Sequence, residues 1–391
     1  AAGVFNKLST AQVAVLSTDV LRAASTSAIQ GVGTVQINAL DSSQIQALTS
    51  SQVQALSSAQ LNAVGTTQIA SLSSAQVKAL TTDQLNVMTS TALQALDTVD
   101  VQAIGTVVMQ SLNSNALNGL ASTQIQALTS TQLKALTTAQ LNALGSSALQ
   151  ALDSNGVNAL TSTQVGALSS TQLNRLTTAQ VAGLNTGNLK AIGTGALQGV
   201  STTQLNALSS TQVQALTSVQ VQSLTSNQLN NMNTTQVVNL SSAQVQVLSS
   251  NQLNALGDAA LQAIETADLR AMSTTQIAGL SSAQLNALNS VQLQSLTTAA
   301  VAAMLTTQVA ALSSVQLNNL GSEQLQALTA GQVRALSTGQ LNSLNTSQVE
   351  NLTTAQAQSL SSTQLNALSS TVTQAIETVD LQALTSTQMQ T

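Results

Sequence analysis

Three pairs of acidic residues are the places in this chain where side chains could carry out acid–base chemistry or bind a metal ion. In each pair, two carboxylates stand three residues apart. The pairs are Asp97 with Asp100, Glu265 with Asp268, and Glu377 with Asp380. Carboxylates act as general acids and bases and as calcium ligands, but calcium takes about six to eight oxygen ligands, more than one pair supplies. We therefore regard these residues as weak calcium candidates and expect them to cap helix N-termini, where negative charge is favourable.

The composition excludes the common catalytic and metal-binding arrangements. The 391 residues include no His and no Cys, so no Ser-His-Asp or Cys-His arrangement and no zinc site of the usual ligands can form. Only eight residues are Lys or Arg, and Trp and Tyr are absent, which argues against nucleic-acid binding. No stretch approaches the ~20 apolar residues of a membrane-spanning helix. We expect a protein that is not an enzyme and has no catalytic residue, no cofactor, no nucleic-acid partner and no membrane span.

An eight-residue repeat positions all of these side chains. With the positions of each octad lettered a to h from residue 1, position h is apolar at every step from Leu8 to Leu384. The chain holds 48 complete octads and seven residues of another, with the consensus [STDNG]-[ST]-x-Q-[LVI]-x-A-L. A fixed short period indicates a repeat architecture in which each unit packs mainly on its neighbours.

The polar half of the octad predicts a helix start in every repeat. Position a is Ser, Thr, Asp, Asn or Gly in 44 of 49 octads, and position d is Gln in 33 of them. This spacing is a capping box, in which residue a bonds the amide of d while the side chain of d reaches back. Apolar positions e and h then lie on one stripe of a two-turn helix. Because so short a helix is unstable alone, we predict an all-α solenoid of about 48 very short stacked helices.

A β-solenoid with one corner per octad is the alternative, since Ser, Asn, Asp and Gly also occupy corners. Positions e and h have opposite parity, so an unbroken strand cannot place both inside. Ala, Leu and Gln are also weaker strand formers than Val, Ile and Thr. These two observations favour the helical solenoid.

A second period, seven octads long, appears in the charged residues. All five acidic residues at position a, and four successive bases at position f, are spaced by multiples of 56. They are Asp41, Asp97, Asp153, Glu265 and Glu377, and Arg22, Lys78, Lys134 and Lys190. Either a gene block of seven octads was duplicated, or seven octads complete a whole number of superhelical turns. We expect a single continuous solenoid over residues 1–391 with this super-repeat and no separate globular domain.

Runs such as LTTAQLNAL, LSSTQVQAL and LSSAQLNAL cover nearly the whole chain. They resemble the octapeptide-repeat tracts of large secreted bacterial surface and adhesin-type proteins. The resemblance implies a structural or adhesive role outside the cell or at its surface, and it carries over no functional residues. The chain departs from large adhesins in having no distinct binding or anchoring domain.

These observations lead us to expect a structural protein, an extracellular filament or the rod of a cell-surface fibre. The last octads keep the consensus, and an uncovered apolar end favours end-to-end self-association. The expected partner is therefore a second copy of the chain, met end to end, with lateral contact as a further option. The alternative is a binding module or adhesin whose Ser, Thr, Asn and Gln ladders contact carbohydrate, another surface or ice.

Overall fold

Short α-helices, one in each octad, make up the described chain. The computed structural model describes the backbone of residues 2–389 and the side chains of residues 4–389. Within those residues there are 49 helices of four to six residues and no β-strand. The predicted all-α solenoid of very short helices is confirmed, and the β-solenoid alternative is wrong.

The chain divides into two compact units, Ala1–Val200 and Ser201–Thr391. In the first unit the helices are Ala2–Phe5, Thr10–Ala14, Thr18–Ala23, Thr26–Gln30, Thr34–Asn38, Ser42–Ala47, Ser50–Ala55, Ser58–Ala63, Thr66–Ala70, Ser74–Ala79, Thr82–Val87, Ser90–Gln94, Thr98–Ala103, Thr106–Ser111, Ser114–Gly119, Ser122–Gln126, Ser130–Ala135, Thr138–Ala143, Ser146–Ala151, Ser154–Ala159, Ser162–Gly166, Ser170–Arg175, Thr178–Ala182, Thr186–Ala191 and Thr194–Gln198.

The second unit repeats the same design. Its helices are Thr202–Asn206, Ser210–Ala215, Ser218–Ser223, Ser226–Asn230, Thr234–Val238, Ser242–Gln246, Ser250–Asn254, Asp258–Gln262, Thr266–Ala271, Thr274–Ala278, Ser282–Ala287, Ser290–Ser295, Thr298–Ala302, Thr306–Ala310, Ser314–Asn319, Ser322–Gln326, Ala330–Arg334, Thr338–Asn342, Thr346–Glu350, Thr354–Ser359, Ser362–Asn366, Ser370–Ala375, Thr378–Ala383 and Ser386–Met389. One uninterrupted solenoid over residues 1–391 stays a prediction, and residues 1, 390 and 391 lie outside the described residues.

The predicted capping box starts about half of the helices. In a representative octad, the Thr137 hydroxyl accepts a hydrogen bond from the Gln140 amide at 3.1 Å, and Gln140 Oε1 accepts from the Thr137 amide at 2.7 Å. The helix ends because the next two residues are extended, with Leu144 at φ −64° and ψ 134° and Gly145 at φ −71° and ψ 167°. Each complete octad after the first is therefore one helix and a corner of two or three residues.

The apolar core consists of positions e and h, again as predicted. Leu141 at position e is fully buried, and Leu144 at position h is 3% exposed. Burial of a leucine side chain contributes about 1.5–3 kcal/mol, and two such residues per octad offset the instability of an isolated two-turn helix. Position c, by contrast, is exposed in every octad whose side chains are described.

Stacking between turns follows a regular offset along the chain. Each helix packs mainly on the third helix before and after it, as Ser74–Ala79 does on Ser50–Ala55 and Thr98–Ala103. Side-chain hydrogen bonds between turns join residues 25 to 31 apart in sequence, from Gln102 to Ala127 and from Gln132 to Val101. One turn therefore takes about 28 residues, or three and a half octads. Residues seven octads apart then stand two turns apart on the same side of a unit.

Candidate functional site

A ladder of buried glutamines at position d joins successive turns. Gln132 is 2% exposed, and its Oε1 accepts from the Thr129 amide at 3.0 Å. Its Nε2 donates to Val101 O at 2.9 Å, to Ile104 O at 2.9 Å and, at 3.3 Å, to Gln102 O. One side chain thus caps its own helix and bonds the C-terminal carbonyls of a helix in the preceding turn, which satisfies the polar groups that a short helix leaves free.

This second role of glutamine was missing from the sequence prediction, which assigned position d to the capping box alone. Glutamine and glutamate serve equally well as the reaching residue of a capping box. Here position d is Gln in 33 octads and Glu in none. Only the amide carries a donor for the carbonyls of the preceding turn, so the absence of Glu at position d was the available signal.

Asparagine at position f supplies a second link between turns. Asn118 Nδ2 donates to Ala143 O at 3.0 Å, and its Oδ1 accepts from the Gly145 amide at 2.7 Å. The octad of Gly145 carries Ala148 at position d and so lacks the glutamine that would accept from that amide. An asparagine of the preceding turn therefore replaces the missing glutamine.

The replacement recurs in six octads. In each, position d is not Gln, and the amide at position a donates to an asparagine 27 residues before it. The pairs are Thr89 with Asn62, Asn113 with Asn86, Gly145 with Asn118, Asn185 with Asn158, Gly257 with Asn230, and Ser369 with Asn342. The same bond also forms in octads that carry Gln at position d, as from the Ser169 amide to Asn142 at 3.1 Å, so asparagine at position f links the turns whether or not position d is Gln.

The three acidic pairs occupy octads in which position d is Asp and no asparagine stands 27 residues before position a. Asp97, Glu265 and Glu377 stand at the N-cap, as predicted, but their side chains make no capping hydrogen bond. In this respect they differ from Asp41, whose carboxylate accepts from the Gln44 amide at 2.8 Å. The prediction of side-chain caps is therefore wrong for these three residues, whose carboxylates are exposed to water.

The second acid of each pair is buried and bonded to a hydroxyl of the preceding turn. Asp100 is 5% exposed and accepts from Ser74 Oγ at 2.7 Å. Asp268 and Asp380 accept in the same way from hydroxyls 26 residues upstream, at 2.6 Å from Ser242 and 2.8 Å from Thr354. Aspartate is one methylene shorter than glutamine and carries no donor, so it cannot bond the carbonyls of the preceding turn. The hydroxyl at position b becomes its partner instead.

The acidic pairs do not assemble into a larger cluster. Across residues 2–389, no three or more Asp or Glu side chains are grouped so that they could hold a metal ion. The surface beside Glu265 is an open cleft lined by Val238, Gln262 and Val291, and a similar cleft lies beside Glu377. Calcium binding at these residues therefore stays a prediction, and each of the three octads supplies two carboxylates.

Hydroxyl groups form the most regular polar feature of the surface. Position b is Ser or Thr in 46 of 49 octads, and it is exposed or half-buried in each octad whose side chains are described. Of the fifteen exposed large apolar residues among residues 4–389, seven lie at position c, as Val107 and Val219 do. None of the helices in residues 2–389 is long and apolar enough to cross a membrane.

The sequence model of the ALTTAQ repeat family matches eight stretches that together cover about two thirds of the chain. They are residues 37–74, 53–90, 130–162, 189–226, 221–258, 261–298, 301–338 and 333–370. No curated protein matches the sequence.

Proposed function

We propose that this chain, which belongs to the ALTTAQ repeat family, is a structural protein that forms the rod of an extracellular filament or cell-surface fibre. The observation that carries the proposal is the glutamine ladder. Most glutamines at position d tie their helix to the carbonyls of the preceding turn, as Gln140 does to Met109 O and Leu112 O at 2.8 and 2.7 Å. With Gln at position d in 33 of 49 octads, these bonds recur along the stack, which suits a protein that forms an extended rod.

The bonds of the ladder join neutral groups, which suits an extracellular filament. Hydrogen bonds between amides and carbonyls are little affected by salt, whereas contacts between exposed charges weaken as ionic strength rises. The surface is rich in Ser, Thr, Asn and Gln, and only 5% of the residues are charged. Hydration of the rod therefore depends on neutral polar groups that keep their state over a wide range of pH and salt.

End-to-end association is the assembly step that we propose. Turns that carry Gln at position d present two surfaces, glutamine amides on one side and helix carbonyls on the other. The contact that joins two turns within a unit can therefore join turns of two molecules, in a heterologous contact that does not close. Filament length would then increase with protein concentration and be insensitive to salt.

Electron microscopy of the purified chain at a series of concentrations tests this proposal. We expect rods whose length distribution moves to longer values at higher concentration and is equal in 50 mM and 500 mM NaCl. Compact particles, or rods of one fixed length at all concentrations, would contradict the filament. Sedimentation velocity on the same samples provides an independent measure of length.

A binding module is a second candidate, supported by the exposed hydroxyls at position b. Regularly spaced hydroxyls can contact carbohydrate, another surface or ice through directional hydrogen bonds. A glycan array and an ice-growth assay test this function. Binding that is lost when several exposed threonines at position b are changed to valine would support it, and two negative assays would remove it.

A further inference from the structure

Two rows of opposite charge run along the first unit. The base row consists of residues at position f, and the acid row of residues at position a. The base row is Arg22, Lys78, Lys134 and Lys190, and the acid row is Asp41, Asp97 and Asp153. All seven side chains are exposed. The two rows hold most of the exposed charges of Ala1–Val200.

Both rows have the same step of seven octads, which is two turns. At the 8–10 Å spacing of packed helices, two turns place successive charges about 16–20 Å apart along the unit. That distance exceeds the Debye length of ~8–10 Å near physiological salt. Neighbours in a row therefore act separately, and each charge marks one axial position.

The two rows face different sides of the unit. Each acid follows a base by 19 residues, as Asp97 follows Lys78, and 19 residues are about two thirds of a 28-residue turn. An acid row cannot neutralise the base row of its own unit from a different side. Each row can therefore meet opposite charges on another molecule.

We propose that a second copy of this chain packs beside the first, with the acid row of one molecule against the base row of the other. The equal axial spacing of the two rows supports this packing. Once one acid of one rod is aligned with one base of the other, the remaining charges of the two rows are aligned as well. The contact uses two different surfaces, so it is heterologous and can continue into bundles. This inference rests on the proposed rod, since only an extended stack places the rows in lines.

Several weak ion pairs between the acid row and the base row together select one axial register of the two rods. An exposed ion pair contributes about 0–1 kcal/mol, so one pair would not hold two rods together. Three pairs at matched spacing act together, because each bond formed brings the next pair into contact range. Rods shifted by one turn bring base and acid to different levels and lose all of these pairs. The rows therefore fix the axial register of neighbouring rods.

The test measures mass per length, which increases with lateral packing and is unchanged by end-to-end growth. We expect scanning transmission electron microscopy of the full chain to show doubled or higher values in 20 mM NaCl and single-rod values in 500 mM NaCl. Two variants each change three residues of one row. Arg22→Glu, Lys78→Glu and Lys134→Glu reverse the base row, and Asp41→Asn, Asp97→Asn and Asp153→Asn neutralise the acid row while keeping asparagine, which can also cap a helix.

Each row variant should weaken lateral association at least tenfold in 20 mM NaCl. Asp19→Asn with Asp83→Asn is the matched control, since both acids are exposed at position c and lie outside the rows. The control should bundle like the unchanged chain, and circular dichroism should show equal helix content throughout. Bundling that survives both row variants would overturn the proposal. Loss in the base-row variant alone would overturn it too, because it would point to an anion other than the acid row. Single rods in all conditions would refute lateral packing while leaving the filament intact.

Discussion

The change of Gln132 to glutamate isolates the role of the amide donor in joining two turns. Glutamate has almost the same shape, so its remaining oxygen can still accept from the Thr129 amide as Oε1 does at 3.0 Å. The second oxygen, however, would face the carbonyl oxygens of Val101 and Ile104, which accept from Nε2 at 2.9 Å each. The variant therefore loses two hydrogen bonds and gains repulsion, while the capping contact is kept.

The expected cost follows from burial. Two lost hydrogen bonds contribute about 1 kcal/mol each, and an uncompensated buried charge raises the total to about 3–5 kcal/mol. Gln46→Glu is the matched control, because Gln46 lies at position f of the same unit and is exposed. Urea denaturation followed by circular dichroism gives the difference in unfolding free energy, and hydrogen exchange at the Leu133 amide shows whether the loss is local.

The pH dependence of this variant supplies a second check. Burial among acceptors should raise the pKa of the introduced carboxyl above its usual value of about 4.3. A carboxyl with a raised pKa in the folded state costs stability above the unfolded pKa, so the charge-dependent part of the deficit should be large near pH 7, decrease as the pH falls through the raised pKa, and be lost below about pH 4. Equal stability of the Gln132 and Gln46 variants near pH 7 would refute the argument that the donor joins the turns.

Four substitutions test the other contacts between turns, and addition of calcium tests the acidic pairs. Asn118→Ala should lower the unfolding free energy by about 1–2 kcal/mol, and Ala148→Gln in the same chain should restore part of it by supplying the missing acceptor, as urea denaturation would show. Asp100→Gln should raise the melting temperature, because glutamine restores the consensus link, whereas Ser74→Ala should lower it by leaving the Asp100 carboxylate without its hydroxyl partner. Millimolar Ca²⁺ should leave the melting temperature unchanged, and a rise that Asp97→Asn abolishes would instead establish a calcium site.

The sequence predicts the helices well, because the relevant signals are local. The capping residues at positions a and d are three apart, and the apolar positions e and h lie on one stripe, so one octad contains all the information for its own helix. The start of Thr138–Ala143 and the burial of Leu141 and Leu144 agree with these signals.

Contacts between turns could not be predicted from the sequence, because the octad pattern does not specify how many repeats make one turn. Without that number, Asn118 has no visible relation to Gly145, although the two are bonded at 2.7 Å. The same limit applies to Asp100, for which the expected partner was the N-terminus of its own helix. Its actual partner, Ser74, lies 26 residues upstream and becomes a neighbour only once the chain has wound through a turn.

The two explanations of the seven-octad period, block duplication and superhelical geometry, turn out to be connected. A block of seven octads is two turns, so its insertion or loss keeps every asparagine in phase with the amide that it accepts from in the next turn. Asn62 and Asn118 are seven octads apart, and so are their partners Thr89 and Gly145. Removal of residues 65–120 therefore brings Asn62 to the position that Asn118 held, and the Gly145 amide keeps an asparagine acceptor.

Removal of the single octad 113–120 has the opposite consequence, because it brings Gln110 to the position that Asn118 held relative to Gly145. We expect the Gly145 amide to lose hydrogen-exchange protection in this shorter deletion and to retain it in the seven-octad deletion, although the latter removes seven times as much of the chain. A fast-exchanging Gly145 amide in both deletions, or a protected one in both, would show that phase does not govern the stack. Protection only after removal of the whole block would explain why duplication in units of seven octads is tolerated.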